Sequence, residues 1–194
     1  ESESVQRQAL VTYVSAEDAS GEAATLHNLG ALLYSRARYD EAAELYARSI
    51  ATRRRLGEVA ATAGTLNNLA TIYGQRGDLD LALAAHREAL EVATASGNAR
   101  DQAYATLGLG SQSFALGEWQ EALGYLGEAA ARFGRLGDRS GLACARHTQG
   151  VVYLTLGHHT DAILVLEQVL PLRTDDPARL GTTLQALGGA YRLR

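Results

Sequence analysis

Residues 66–89 read LNNLATIYGQRGDLDLALAAHREA, and this stretch decides the fold. Its pattern recurs every 40 residues along the chain. The columns that stay in register are Leu29, Leu69 and Leu109; Gly77, Gly117 and Gly157; Ala42, Ala82, Ala122 and Ala162; and the small residues Gly30, Ala70, Gly110 and Gly150. A fixed period of this length is typical of solenoids, in which each unit buries its apolar face only against its neighbours. The repeat therefore points to a binding scaffold.

Each copy is predicted to form two helices joined by a tight turn. In the second copy the expected helices cover residues 61–75 and 79–96, with Leu66, Leu69 and Tyr73 on one stripe. No segment alternates with a period of two residues, so no strand is expected. Gly77 is predicted to end the first helix in a left-handed conformation, and Ala37 stands at this position in the first copy.

A second turn recurs 20 residues after the first and is predicted to start the next helix pair. Glu58, Asn98 and Asp138 follow this turn in three successive copies. Their side chains are of types that cap or begin a helix.

These patterns predict an all-α fold, a right-handed α-solenoid of antiparallel helix pairs. We expect a single domain over residues 1–194, with a partial unit at 1–20 and a terminal helix at 178–193. The full repeats are expected at about 21–58, 59–98, 99–138 and 139–176. The chain starts without Met and ends inside an apparent helix, which suggests a piece of a longer protein.

Composition excludes several classes of function. The chain is 46% hydrophobic and has no apolar run of membrane-spanning length, and its net charge of −4 disfavours a nucleic-acid partner. All 18 basic residues are Arg, so no lysine can form a Schiff base or a phosphate-loop contact. The bias toward Ala, Gly, Arg and Leu suggests a bacterial genome, and the lack of a secretory signal favours the cytoplasm.

No catalytic or metal-binding set emerges from the sequence, and no cofactor is expected. His27 and His147 lie three copies apart and His86 falls on a second helix, so these rings are not expected to converge. Cys144 lies three residues from His147, but no third group is seen to orient such a pair. We therefore predict that the protein is not an enzyme.

The repeat columns resemble those of the tetratricopeptide repeat family. The resemblance rests on Leu26, Leu29-Gly30, Leu33, Ala42 and Tyr46 in the first copy, and on the equivalent positions of the other three. Because the repeat is longer than the common form, it is most similar to the branch found in kinesin light chains and bacterial regulatory proteins. Residues 66–70, Leu-Asn-Asn-Leu-Ala, reproduce a string that recurs in that branch.

The resemblance implies that the first helices of the pairs line a concave groove that binds a peptide. Helical spacing from the core positions gives the candidate groove residues His27, Asn28, Tyr34, Asn67, Asn68, Thr71, Gln75, Tyr104, Ser111 and Phe114. Asparagine amides can hold a peptide main chain, since each offers one acceptor and two donors. The alternative is that these asparagines only brace adjacent helices.

We therefore predict a non-enzymatic scaffold that binds a protein or peptide segment of neutral or mixed charge, as the sensing or interaction module of a bacterial regulator. The candidate groove positions hold no Arg, which disfavours a receptor for the carboxylates of chaperone tails. The alternative is a homo-oligomerisation module that dimerises through the terminal helix, where Leu184, Leu187 and Tyr191 lack a following partner.

Overall fold

The computed structural model describes residues 3–194, so the first two residues of the predicted partial unit at 1–20 lie outside the described part. The described residues form ten α-helices and two short 3-10 helices, without a strand. The α-helices are α1 (Glu3–Ser15), α2 (Ala19–Ser35), α3 (Tyr39–Arg55), α4 (Thr62–Arg76), α5 (Leu79–Ala95), α6 (Ala99–Ala115), α7 (Trp119–Leu136), α8 (Arg139–Thr155), α9 (His159–Glu167) and α10 (Pro177–Leu193). The predicted all-α fold of repeated helix pairs is confirmed.

The chain divides into two compact units, and the boundary falls inside α6. One unit ends at Asp101 and the other begins at Gln102. In the first unit α2 packs on α3 and α4 packs on α5, while in the second unit α8 lies against both α7 and α9. The single domain over residues 1–194 stays a prediction.

The turns between helices use the left-handed backbone conformation, as the sequence predicts. Gly77 ends α4 with a φ of 84°, and its amide donates to the carbonyl of Gly74. Two turns hold this conformation without glycine, at Ala37 with a φ of 58° and Glu17 with a φ of 54°. Both occupy repeat positions where later copies have glycine, so the packing of the flanking helices imposes the turn there.

Two of the three predicted helix starts are confirmed as side-chain caps. The Asp138 carboxylate accepts a hydrogen bond of 2.9 Å from the Gly141 amide, and Asn98 Oδ1 accepts one of 3.1 Å from the amide of Asp101. Glu58 makes no such bond, and it is followed by a 3-10 turn over Val59–Ala61 before α4 begins.

The small residue of each copy faces a large residue of the following helix. A Cβ at Gly30 would lie 2.9 Å from the ring of Tyr46, and one at Gly150 would lie 2.6 Å from Cγ of Leu166. The second copy has Ala70 instead, and there the equivalent position on the next helix is His86. Because the two helices approach closely at this position, a large residue on one helix requires a small residue on the other.

The fourth copy departs from the others because of a proline that the repeat pattern did not single out. Helix α9 ends at Glu167, and the chain continues as a 3-10 turn over Leu170–Leu172 that contains Pro171. Proline lacks the amide donor and its ring clashes with the preceding turn, so the helix cannot continue through it. The terminal helix begins at Pro177, one residue before the predicted start.

Candidate functional site

In the first unit, the candidate residues lie on α2 and α4. Asn28 and Gln75 are exposed. Within residues 3–194 the Asn28 side chain has no hydrogen-bond partner, so its amide is available to a ligand. Asn28 and Gln75 are therefore the two candidates that the structure leaves exposed.

Asn68 lies at the same repeat position as Asn28 but is half-buried. Its amide interacts with the hydroxyl of Tyr46, whose ring is buried against α2. Burial raises the pKa of Tyr46 to about 12, and Asn68 acts in the opposite direction. Asn68 thus combines a packing contact with a partly accessible amide.

Asn67 occupies a different environment from its neighbour in the sequence. Its side chain is buried, and its Nδ2 donates to the backbone carbonyl of Asp101 over 3.2 Å. Its Oδ1 lies 3.3 Å from Nδ1 of the buried His86. Both ends of this amide therefore brace α4 against α5 and the start of α6, which is the bracing role considered above as the alternative.

Three further candidates of the first unit have partners of their own. Nδ1 of His27 and Oγ1 of Thr65 share a hydrogen bond of 2.9 Å, and burial together with Arg53 lowers the pKa of His27. The Thr71 hydroxyl donates to the carbonyl of Asn67 over 2.9 Å. The Tyr34 ring packs against Tyr39 at 5.6 Å between centroids, and burial raises the pKa of its phenol.

The candidates of the second unit all lie on α6 and are half-buried. Tyr104 packs edge-on against Phe133, with ring centroids 5.0 Å apart, and its hydroxyl donates to the Asp138 carboxylate over 3.1 Å. The Ser111 hydroxyl donates to the carbonyl of Leu107, and Phe114 packs against the apolar cluster around Leu126. These side chains therefore contribute part of their surface to packing within the unit.

A polar cluster that sequence reasoning missed lies beside His147. The hydroxyl of Thr183 lies 3.4 Å from Nδ1 of His147 and accepts a hydrogen bond of 2.7 Å from the buried Arg173 guanidinium. Burial and Arg173 lower the pKa of His147. The repeat could have predicted this cluster. His27 and Arg53 of the first copy stand at the same repeat positions as His147 and Arg173, 120 residues earlier.

The second unit also holds Cys144, which is a half-buried free thiol. A guanidinium nitrogen of Arg179 lies 3.9 Å from its sulfur, whereas His147 pairs with Thr183 instead. Among residues 3–194, no three His, Cys, Asp or Glu side chains are placed to share a metal ion. In the same part of the chain, no helix has the length and apolar character needed to cross a membrane.

The repeated helix pairs and their paired small and large slots define an α-helical repeat protein. The sequence profile of the tetratricopeptide repeat matches residues 21–95 and 101–175, and the chain belongs to this family. Comparison with curated protein sequences finds no match.

Solved structures share the fold at low sequence identity. BtubC (BKLC) from P. vanneervenii is 21% identical with a TM-score of 0.83, and the match covers 98% of this chain and 82% of that one. The apo form of RapI is 17% identical with a TM-score of 0.85, over 97% of this chain and 74% of that one. A Rap protein complexed with competence and sporulation factor is 14% identical with a TM-score of 0.78, over 88% of this chain and 48% of that one.

Proposed function

We propose that this protein is a non-enzymatic scaffold that binds a peptide or protein segment on the first-helix face of its repeats. The observation that carries the proposal is the amide of Asn28, which is exposed and has no hydrogen-bond partner among residues 3–194. The partly accessible amide of Asn68 lies one repeat later. Amides at successive repeats match the donors and acceptors of an extended main chain. The ligand is a segment of neutral or mixed charge, because the candidate positions carry no charged side chain.

A sensing role in a bacterial regulator is the finer form of this proposal. It is supported by the shared fold with the Rap protein that was solved in complex with competence and sporulation factor. The proposed role requires no cofactor and no catalytic group, and it fits the binding function typical of helical repeat proteins.

The amides of Asn28 and Asn68 can be tested with a peptide selected from a random-sequence display library against the whole chain. We expect Asn28→Ala/Asn68→Ala to weaken its binding by about tenfold, since each lost hydrogen bond contributes about 0.5–1.5 kcal/mol. Isothermal titration calorimetry measures the dissociation constant. Gln120→Ala removes an exposed amide on a second helix and is the matched control. Unchanged affinity in a folded double variant would contradict the proposal.

Self-association through α10 is a second candidate, and exposed apolar side chains on that helix favour it. Leu184 is 50% exposed and Leu193 is 65% exposed, whereas Leu187 is buried and belongs to the core. Burying these side chains in a symmetric contact would stabilise a dimer. The expected result is a dimer mass by light scattering at micromolar concentration, reduced to a monomer by Leu184→Glu/Leu193→Glu. A monomeric parent chain would exclude this candidate.

A further inference from the structure

The second unit contains an open groove between α7 and α9, on the second-helix side of the repeats. The groove has a volume of about 370 Å³, and α8 forms its floor with Leu142, Arg146 and Gln149. On the α7 side the groove is lined by small residues, including Gly127, Ala131 and Gly134, whose side chains fill little of it. None of the nine lining residues carries a carboxylate.

Arg146 stands at a repeat position that is otherwise part of the core. The equivalent residues of the first three copies are Leu26, Leu66 and Thr106, all of which are buried. Arg146 is half-buried, and its partner is the neutral side-chain oxygen of Gln168. No ion pair is formed by Arg146 within residues 3–194. A partly desolvated guanidinium with a neutral partner is stabilised by an anion that comes close to it.

The equivalent groove of the first unit shows what this position normally holds. That groove lies between α3 and α5, has a volume of about 310 Å³, and is floored by Leu66, Leu69 and Tyr73. An ion pair between Arg54 and Glu88 joins its two walls. Eighty residues later, the same wall positions are Gly134 and Gln168, so no ion pair joins the two walls there.

We infer that the groove between α7 and α9 is a docking site for a protein partner that inserts an aspartate or glutamate side chain toward Arg146. Charge complementarity favours this occupant, because the groove contains a cation and no acidic lining residue. A single guanidinium pairs with a carboxylate through two parallel hydrogen bonds and balances its one negative charge, whereas a phosphate group carries a charge of about −1.5 to −2. The apolar walls at Ala130 and Val165 fit the aliphatic stem of such a side chain. None of the residues that line this groove is among the first-helix candidates.

The test uses the whole chain labelled with ¹⁵N and two short probes, acetyl-Ala-Glu-Ala-amide and acetyl-Ala-Gln-Ala-amide. We expect the glutamate probe to produce saturable shifts at the amides of Gly127 and Gly134, and the glutamine probe to produce none. Arg146→Leu restores the residue of the second copy, so it is expected to fold, and it should raise the dissociation constant of the glutamate probe at least tenfold. Arg135→Leu removes an exposed cation of the same unit and should leave binding unchanged.

Three results would overturn the inference. The first is equal binding of the glutamate and glutamine probes. The second is equal binding of the glutamate probe to the parent chain and to folded Arg146→Leu. The third is inorganic phosphate shifting the same two amides at a lower concentration than the glutamate probe, which would assign the groove to a free anion. Loss of peptide binding at Asn28 and Asn68 leaves all of these measurements unaffected, since those residues belong to the other unit.

Discussion

Replacing Phe133 with alanine is expected to lower the free energy of unfolding by about 3–5 kcal/mol. Phe133 is fully buried near the end of α7, where it packs against Tyr104, Ala129 and Ala145. Removing the ring leaves a cavity between helices that are held apart by their other contacts, so the loss exceeds the transfer free energy alone. Urea unfolding followed by circular dichroism measures it. Leu136→Ala, at a 42% exposed position of the same helix, should change the stability by only about 0.5 kcal/mol.

The same ring depends on a glycine at the start of α8, which allows a sharper control. A Cβ at Gly141 would lie 2.3 Å from Cδ1 of Phe133. Gly141→Ala is therefore expected to cost about 1–3 kcal/mol in the parent chain. In the Phe133→Ala background it should instead stabilise by roughly 0.5–1 kcal/mol, because alanine favours the helix once the ring is gone. Additive effects of the two changes would contradict this account of their packing.

Acidification from pH 6.5 to pH 4 is expected to destabilise the first unit by about 3 kcal/mol through His86. His86 is 3% exposed, and burial lowers its pKa from 6.5 to about 4. Between these two values the unfolded chain binds a proton that the folded chain excludes. Stability is therefore lost as the pH falls through this window, and it is unaffected by His86 above it.

A matched variant separates His86 from the other titrating groups. Ala70→Gly/His86→Leu recreates the pair of small and large residues that occurs at Gly110 and Leu126. Between pH 6.5 and pH 4, the unfolding free energy of this variant is expected to fall by about 3 kcal/mol less than that of the parent chain. The lowered pKa values of His27 and His147 remain in both proteins and cancel in the difference. The same pH dependence in parent and variant would show that His86 does not titrate in this way.

The candidate site shows where sequence reasoning reaches its limit. Asn67 and Asn68 are adjacent in the sequence, and both were predicted to lie on the first-helix face. The structure instead buries Asn67 between His86 and the carbonyl of Asp101. Helical periodicity gives the direction of a side chain to within about one residue. Whether that direction meets solvent or a neighbour depends on how closely the following helices pack, and this is a property of the tertiary structure.

Repeat comparison could have predicted more than it did. An aromatic residue and a glycine stand eight residues apart at Tyr13 and Gly21, and again 120 residues later at Phe133 and Gly141. Both glycines would collide with the ring if they carried a Cβ. The pairing is visible in the sequence, but its reason emerges only when the end of one helix is seen to pack on the start of the next.

The sequence by itself determined the 40-residue period, the succession of helix pairs and most of their turns and caps. It could do so because helix propensity, capping and left-handed glycine turns depend on residues a few positions apart. The tertiary structure alone decided that Asn28 is open while Asn67 is bonded, and that Arg146 lines an open groove where other copies bury this position in the core. Those outcomes depend on side chains about 20 to 40 residues apart, whose packing no local pattern specifies.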